Sequence, residues 1–160
     1  MLLVAFMLVL AGAFALLLAR GLAAPGPTTR PDDLPRPKLG QRSPDDAVAA
    51  LDDPLTAAAT LTAIVATDDG WPQVQGRVEA ALAGFTDAAR ARQAVMFAEW
   101  AASHDLDTDR AVATLCRFLS ESLEAPERAE VAAMVRDAGR VGGPEGKRLA
   151  SKAMERLPAI

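Results

Sequence analysis

Residues 53–70, with the sequence DPLTAAATLTAIVATDDG, contain the signals that decide the fold of this chain. Asp53 followed by Pro54 is typical of a helix start, because aspartate caps free backbone N–H groups and proline fits the first helical position. Apolar residues then recur at the spacing of one helix face. The turn Asp68-Asp69-Gly70 follows, where glycine is expected to supply the turn geometry. The stretch therefore predicts a helix over residues 54–67.

Similar start and stop signals recur over residues 43–160 and predict a compact multi-helix bundle. The other predicted helix starts are at Ser43-Pro44, Trp71-Pro72, Thr86-Asp87, Thr108-Asp109, Pro126 and Pro144, and the predicted late breaks are at Gly139, Gly142 and Gly143. No segment alternates apolar and polar residues as a strand does, so no sheet is expected. Short connections predict near-antiparallel neighbouring helices. The predicted fold class is all-α.

Two details of the core follow from helical spacing. On the helix after Asp87, the predicted inner face consists of Val95, Met96, Trp100 and Ala101, with Phe97 at its edge. The single cysteine, Cys116, falls on the apolar side of its helix, which favours an inert core thiol over a nucleophile.

Residues 1–19, MLLVAFMLVLAGAFALLLA, contain no charged or polar side chain. A helix needs roughly 17–25 apolar residues to cross a bilayer, so this stretch predicts a single N-terminal transmembrane helix. The alternative is a cleaved signal peptide ending at the small residues near Ala24, which would make this a secreted helical protein. A signal peptide normally begins with basic residues, and none precedes the apolar run. In the predicted transmembrane helix, small residues would let two spans approach closely, so a homodimer is a further alternative. These residues are Ala11, Gly12, Ala13 and Ala15.

Residues 20–42 are predicted to be a proline-rich, basic linker, because their prolines forbid regular helix. The basic residues near the apolar stretch all follow it, and these are Arg20, Arg30, Arg36, Lys38 and Arg42. The positive-inside tendency then places the C-terminal domain in the cytoplasm, at the inner membrane. One cysteine cannot form an internal disulfide, which fits that compartment. The formal net charge of −4 argues against a nucleic-acid partner.

The order of elements resembles the TerB-like family, named for tellurite-resistance proteins. The similarity lies in IVATDDG at residues 64–70, ERAEVAAMV at 127–135 and AGRV at 138–141, followed by Pro144-Glu145 and a closing helix. It covers roughly residues 53–157. Members are compact helical domains with two related halves. Each half has an Asp-Gly turn after an apolar helix and a glutamate seven places after that aspartate.

This chain departs from the family pattern in both halves. Asp69-Gly70 is present, but the corresponding glutamate position holds Gly76; Glu145 is present, but its aspartate position holds Ala138. The family is associated with acidic metal-binding residues. The resemblance therefore implies Asp69 and Glu145, with Asp68 beside them, as candidate ligands of a divalent cation such as calcium.

The leading hypothesis is a membrane-anchored, cytoplasmic interaction or scaffold module of TerB-like type, linked to tellurite or envelope stress resistance. Its partners would be the membrane, through residues 1–19, and a protein that the sequence does not identify. A divalent-metal-binding domain is the alternative. No Ser/His/Asp or Cys/His arrangement can be assembled, so we predict no catalytic residues and no enzyme. An enzyme would have to use scattered polar residues, namely Asp68, Asp69, Glu99, His104 and Glu145.

Overall fold

Most helices begin where proline and capping residues predict a start. The structure, a computed structural model, describes residues 43–157. The helices are α1 Pro44–Ala49, α2 Pro54–Ala83, α3 Ala88–Ala102, α4 Thr108–Ser122, α5 Ala125–Val141 and α6 Gly143–Arg156. No strand occurs within residues 43–157, so the all-α prediction is confirmed there. The predicted anchor and the predicted linker both lie outside the described residues. Within that described part, no helix is both long and apolar enough to cross a bilayer.

Four helices have a side-chain cap of the predicted kind. The side chains of Ser43, Asp53, Asp87 and Asp107 each accept a hydrogen bond from the N–H three residues later, at 2.9–3.2 Å. Such a cap satisfies a backbone donor that has no partner within the helix, and it contributes about 1 kcal/mol. These local signals explain why the predicted and observed helix starts agree at α1 to α4.

The first half of α2 is the centre of the fold. Every residue from 57 to 66 is buried, and α2 packs against α3, α4, α5 and α6. A helix that is apolar all round is typical of a position inside a protein. The two buried threonines remain compatible with it, since Thr60 donates to the Thr56 carbonyl and Thr62 to the Ala58 carbonyl, both at 2.7 Å. The alanines of this segment let neighbouring helices approach closely.

The predicted end of this helix at Thr67 is confirmed, and it takes the form of a kink between two helical segments. Thr67 has φ 60° and ψ 170°, and helical geometry resumes after it, so that α2 continues to Ala83. The second helical segment begins directly after Thr67, a few residues before the predicted start at Trp71-Pro72, so Pro72 lies inside it. Gly70 does not supply the turn. A Cβ on Gly70 would lie 3.0 Å from the carbonyl carbon and oxygen of Val141. Glycine is therefore needed at position 70 because the α2 backbone packs closely on the end of α5.

The α5–α6 connection corrects a second prediction about glycine. Gly139 does not break α5, which continues to Val141. A Cβ on Gly139 would lie 2.5 Å from the Ala150 Cβ, so glycine is needed there for the close contact between α5 and α6. The turn itself uses Gly143, whose φ of +65° is a left-handed conformation that glycine adopts at little cost.

The inner face of α3 also differs from the prediction. Its buried residues are Ala91, Ala94, Val95, Ala98 and Ala101. Met96 is 62% exposed, so its assignment to the core was wrong. Each helical residue turns by about 100°, so a position two before Ala98 points to nearly the opposite side. The small residues face α2 because they allow the closest approach to the alanine-rich centre.

Candidate functional site

The fold brings the acidic turn of α2 against the connection between α5 and α6. We call residues 65–70 and 141–146 together the kink junction. A Cβ on Gly146 would lie 2.6 Å from the Val65 carbonyl oxygen, and one on Gly142 would lie 2.9 Å from the Ala66 carbonyl oxygen. Backbone therefore packs directly on backbone there. Two parts of the TerB-like resemblance, residues 64–70 and the segment around Val141 and Glu145, are therefore neighbours in space.

Thr67 gives the kink junction a strained backbone. It is the one residue other than glycine with a positive φ among the described residues. Such a conformation in a β-branched residue costs of order 1–3 kcal/mol, and it persists only where surrounding packing enforces it. Trp71, four residues later, is buried, and its indole N–H has no hydrogen-bond partner within residues 43–157. An unsatisfied buried donor costs about 1–3 kcal/mol more.

Asp68 and Asp69 are exposed at this kink. They follow Thr67 directly and so lie in the first turn of the second half of α2. Carboxylates at that position interact favourably with the positive end of the helix dipole. The Gln73 side chain donates to the Asp69 carbonyl at 3.3 Å, which supports the same turn. Both carboxylates therefore have a structural reason to be there.

Glu145, the third predicted metal ligand, is engaged by an arginine. Arg148 donates to both of its carboxylate oxygens, at 2.6 and 2.9 Å, and it also donates to Asp109 at 2.9 Å. Lys152 lies 3.0 Å from the same Asp109 oxygen. We call Asp109, Glu145, Arg148 and Lys152 the charged cluster. It joins the first turn of α4 to α6.

The charged cluster shifts the pKa of its members. Hydrogen bonds from Lys152 and then Arg148 lower the pKa of Asp109 below its ordinary value. The Arg148 hydrogen bond likewise lowers the pKa of Glu145, and these two acids raise the pKa of Arg148. All of these groups are solvated, so the pairs orient side chains more than they stabilise the fold.

In the part of the chain that the structure describes, the predicted site residues do not form a metal-binding cluster. Within residues 43–157, no group of three or more His, Cys, Asp or Glu side chains could hold a metal ion. Glu99 accepts a hydrogen bond from Gln75 at 3.2 Å, and the exposed His104 places Nδ1 2.6 Å from the Trp100 carbonyl oxygen. A metal site at Asp68, Asp69 and Glu145 stays a prediction.

Cys116 lies where its helix spacing predicts, on the apolar side of α4 and fully buried. Its Sγ is 3.9 Å from the Ala153 carbonyl oxygen. Burial raises the pKa of the thiol to about 12, although the nearby Arg156 lowers it slightly. At neutral pH the group is therefore protonated, and it packs as a small apolar side chain.

Sequence reasoning missed a surface on the outer side of α3. We call Met96, Phe97, Trp100 and His104 the α3 surface. The rings of Phe97 and Trp100 have centroids 5.5 Å apart, and those of Trp100 and His104 are 5.1 Å apart. The sequence predicted Met96 and Trp100 for the inner face, with Phe97 at its edge and His104 in a polar break. Phe97 and Trp100 do pack partly against the core, so Met96 is the residue whose exposure the prediction missed.

A second missed feature is a shallow groove of about 520 Å³. We call it the α4–α6 groove. It is lined by Ala113, Thr114, Arg117, Ser120, Glu121 and Arg156. The one sequence signal for this groove is a pair of basic residues, Arg117 on α4 and Arg156 on α6, but the sequence does not indicate that these two helices lie side by side.

No protein-family model matches this chain, and neither a curated protein nor a solved structure matches it. The TerB-like resemblance therefore rests on the residues quoted for it.

Proposed function

We propose that this chain is a membrane-anchored helical interaction module of TerB-like type, with residues 43–160 on the cytoplasmic side. Its setting would be tellurite or envelope stress resistance. The observation that carries the proposal is the uncharged stretch of residues 1–19, which is followed by basic residues from Arg20 to Arg42. Such a stretch suits a single span, and the flanking charges suit a cytoplasmic body.

The α3 surface supports the interaction part of the proposal. Met96 is the one large apolar side chain that is exposed among the described residues, and the half-buried Phe97 and Trp100 adjoin it. Methionine and aromatic side chains are enriched where proteins bind each other, because they bury much area and adapt their shape. A helix face that displays them is a reasonable place for a partner to dock.

Fractionation and reporter fusion test the anchor. The full chain should sediment with membranes and resist a carbonate wash, whereas a variant lacking residues 1–19 should stay in the supernatant. A reporter that is active only in the periplasm should be silent when it is fused after Ile160. Activity of that reporter, or release of the full chain by carbonate, would contradict the anchored cytoplasmic placement.

Site-specific photo-crosslinking tests the interaction surface. A photoreactive residue at position 96 should give a discrete crosslinked band in cells, and the same residue at Ala133 provides the control. Ala133 is exposed on a different helix, α5. Met96→Gln should weaken the band obtained from a photoreactive residue at the neighbouring Gln93, because glutamine keeps the helix propensity and removes the apolar end. Equal labelling at positions 96 and 133 would count against a specific partner at this face.

A further inference from the structure

The α4–α6 groove lies at one end of a seam between two helices that run in the same direction. Asp109, early in α4, pairs with Arg148 and Lys152 in α6. Towards the other end, Ser120 donates through its hydroxyl to the carbonyl of Arg156 at 3.1 Å. The charged cluster and the groove are therefore opposite ends of one parallel helix contact.

The two ends differ in how their basic side chains are compensated. Arg148 and Lys152 are paired with acids, as described above. Arg117 and Arg156 line the groove, and within residues 43–157 neither side chain has an ion-pair partner. Glu121 also lines the groove, one turn after Arg117 on α4, but the two side chains do not pair. On a chain with net charge −4, this end of the seam leaves two guanidinium groups free for an incoming acid.

The groove continues into a smaller depression of about 140 Å³ beside α1. The two share Thr114, Arg117 and Glu121. Val48, Leu51 and Phe118 supply apolar lining to the depression. An occupant that spans both would therefore meet guanidinium groups first and apolar side chains next to them.

We propose that the α4–α6 groove binds an acidic segment of a protein partner. Carboxylates would lie on Arg117 and Arg156, and a neighbouring apolar side chain would enter the depression between Val48 and Phe118. Guanidinium groups bind carboxylates in a planar, two-bond geometry, which favours arginine for this role. The apolar depression favours a peptide over a free phosphate, because a phosphate would leave it unused. This inference deepens the proposed function, on which it rests, by assigning a partner chemistry to a second surface.

Fluorescence anisotropy of the full chain in a non-ionic detergent tests this directly. The probe is a fluorescein-labelled peptide in which Asp and Glu alternate with Leu, and its matched control carries Asn and Gln in place of the acids. We expect saturable binding of the acidic peptide alone. Arg117→Ala with Arg156→Ala should weaken it about tenfold or more, because hydrogen bonds between charged groups are lost.

Two further variants separate site chemistry from overall charge. The charge-matched control is Arg77→Ala with Arg136→Ala, since both arginines are exposed on other helices; this pair should bind as the unaltered chain does. Arg117→Lys with Arg156→Lys should give intermediate affinity, since lysine keeps the charge and loses the planar fork. All three double variants replace exposed side chains, and their circular dichroism melting curves should match that of the unaltered chain.

Several outcomes would overturn the proposal. These are absence of binding, equal binding of the neutral peptide, and equal loss of affinity in the two alanine variants. Displacement of the peptide by an equimolar amount of inorganic phosphate would instead assign the groove to phosphate. Displacement by phosphatidylglycerol vesicles, without an equal effect of phosphatidylcholine vesicles, would assign it to a lipid surface. None of these results affects the anchor or the crosslinks at position 96, so the proposed function is judged separately.

Discussion

Replacement of Thr67 by glycine should stabilise the protein. Thr67 holds φ 60° and ψ 170° in the middle of α2, and a conformation of this kind costs a β-branched residue of order 1–3 kcal/mol. Glycine adopts it without strain, but it loses about 0.5–1 kcal/mol more backbone entropy on folding. The expected gain for Thr67→Gly is the difference, which is about 1 kcal/mol at the middle of both ranges and at most about 2.5 kcal/mol in the free energy of unfolding.

Thr67→Ala provides the matched control for this substitution. It removes the same side-chain contacts beyond Cβ, but it retains the Cβ that makes a positive φ costly. The alanine variant should therefore be no more stable than the unaltered chain, and the glycine variant should exceed both. Urea unfolding followed by circular dichroism at 222 nm measures the three free energies, with similar m-values required for comparison. If the alanine variant equals or exceeds the glycine variant, backbone strain at position 67 is not the reason.

Four other predictions address the kink junction, the charged cluster and the thiol. Gly142→Ala should destabilise the fold by about 1–3 kcal/mol in urea unfolding, because the new Cβ would lie 2.9 Å from both the Ala66 carbonyl oxygen and the Gly146 Cα. The control is Gly76→Ala, which should be neutral or stabilising because a Cβ there meets nothing within 4 Å. Cys116 should resist a thiol reagent in the folded chain at pH 8 and react on unfolding, because burial raises its pKa to about 12; rapid labelling of folded protein would contradict its burial. The pKa of Asp109 is lowered in the folded state, so the carboxylate's contribution to stability is present above its unfolded pKa and is lost as the pH falls through its folded pKa. Asp109→Asn should therefore reduce the change in the free energy of unfolding between pH 5 and pH 2. If Asp69 binds a divalent cation, calcium should raise the melting temperature of the full chain and Asp69→Ala should abolish the rise; no shift with calcium would refute the metal site.

The helix starts were predictable because their causes are local. Ser43, Asp53 and Asp87 accept hydrogen bonds from N–H groups three residues away, so each start can be recognised from a short window of sequence. The glycines behave differently. Gly70 and Gly139 look like helix breakers in the same window, but each lies where another helix approaches too closely for a Cβ. Gly70 is approached by Val141, far along the chain, and Gly139 by Ala150 on the next helix, so a short window of sequence indicates neither contact.

The face of α3 could not be assigned from periodicity alone. Val95 and Met96 are adjacent, and hydrophobicity favours burying both. The structure buries Val95 with four alanines and exposes 62% of Met96, because a face of small residues fits the alanine-rich centre of α2. Helix packing therefore selected side-chain size over hydrophobicity. Sequence reasoning that ranks faces by hydrophobicity would fail in the same way for other alanine-rich bundles.

The charged cluster was missed for a related reason. Arg148 joins Asp109, which is 39 residues earlier, to Glu145, which is one turn away on its own helix. The short-range pair is visible in the sequence, whereas the long-range pair depends on α4 and α6 lying side by side. The TerB-like resemblance implied three acids as ligands, and the structure gives each a contact or position that the motif does not indicate. Glu145 pairs with Arg148, and Asp68 and Asp69 follow the kink at Thr67.

The kink at Thr67 changes what kind of helix α2 is. Before it, residues 57–66 are buried on all sides; after it, the buried positions Trp71, Val74, Val78 and Leu82 form a single stripe. The first part of α2 therefore lies in the centre of the bundle and the second part lies at its surface. The exposed Asp68 and Asp69 follow the kink between them.

This gives Asp69 a role that needs no metal. As an acid in the first turn of the second half of α2, it should contribute roughly 0.3–1 kcal/mol through the helix dipole. Asp69→Ala would then lower stability equally with and without calcium. A loss that appears only with calcium requires a bound cation, whereas an equal loss in both conditions assigns the residue to the kink alone.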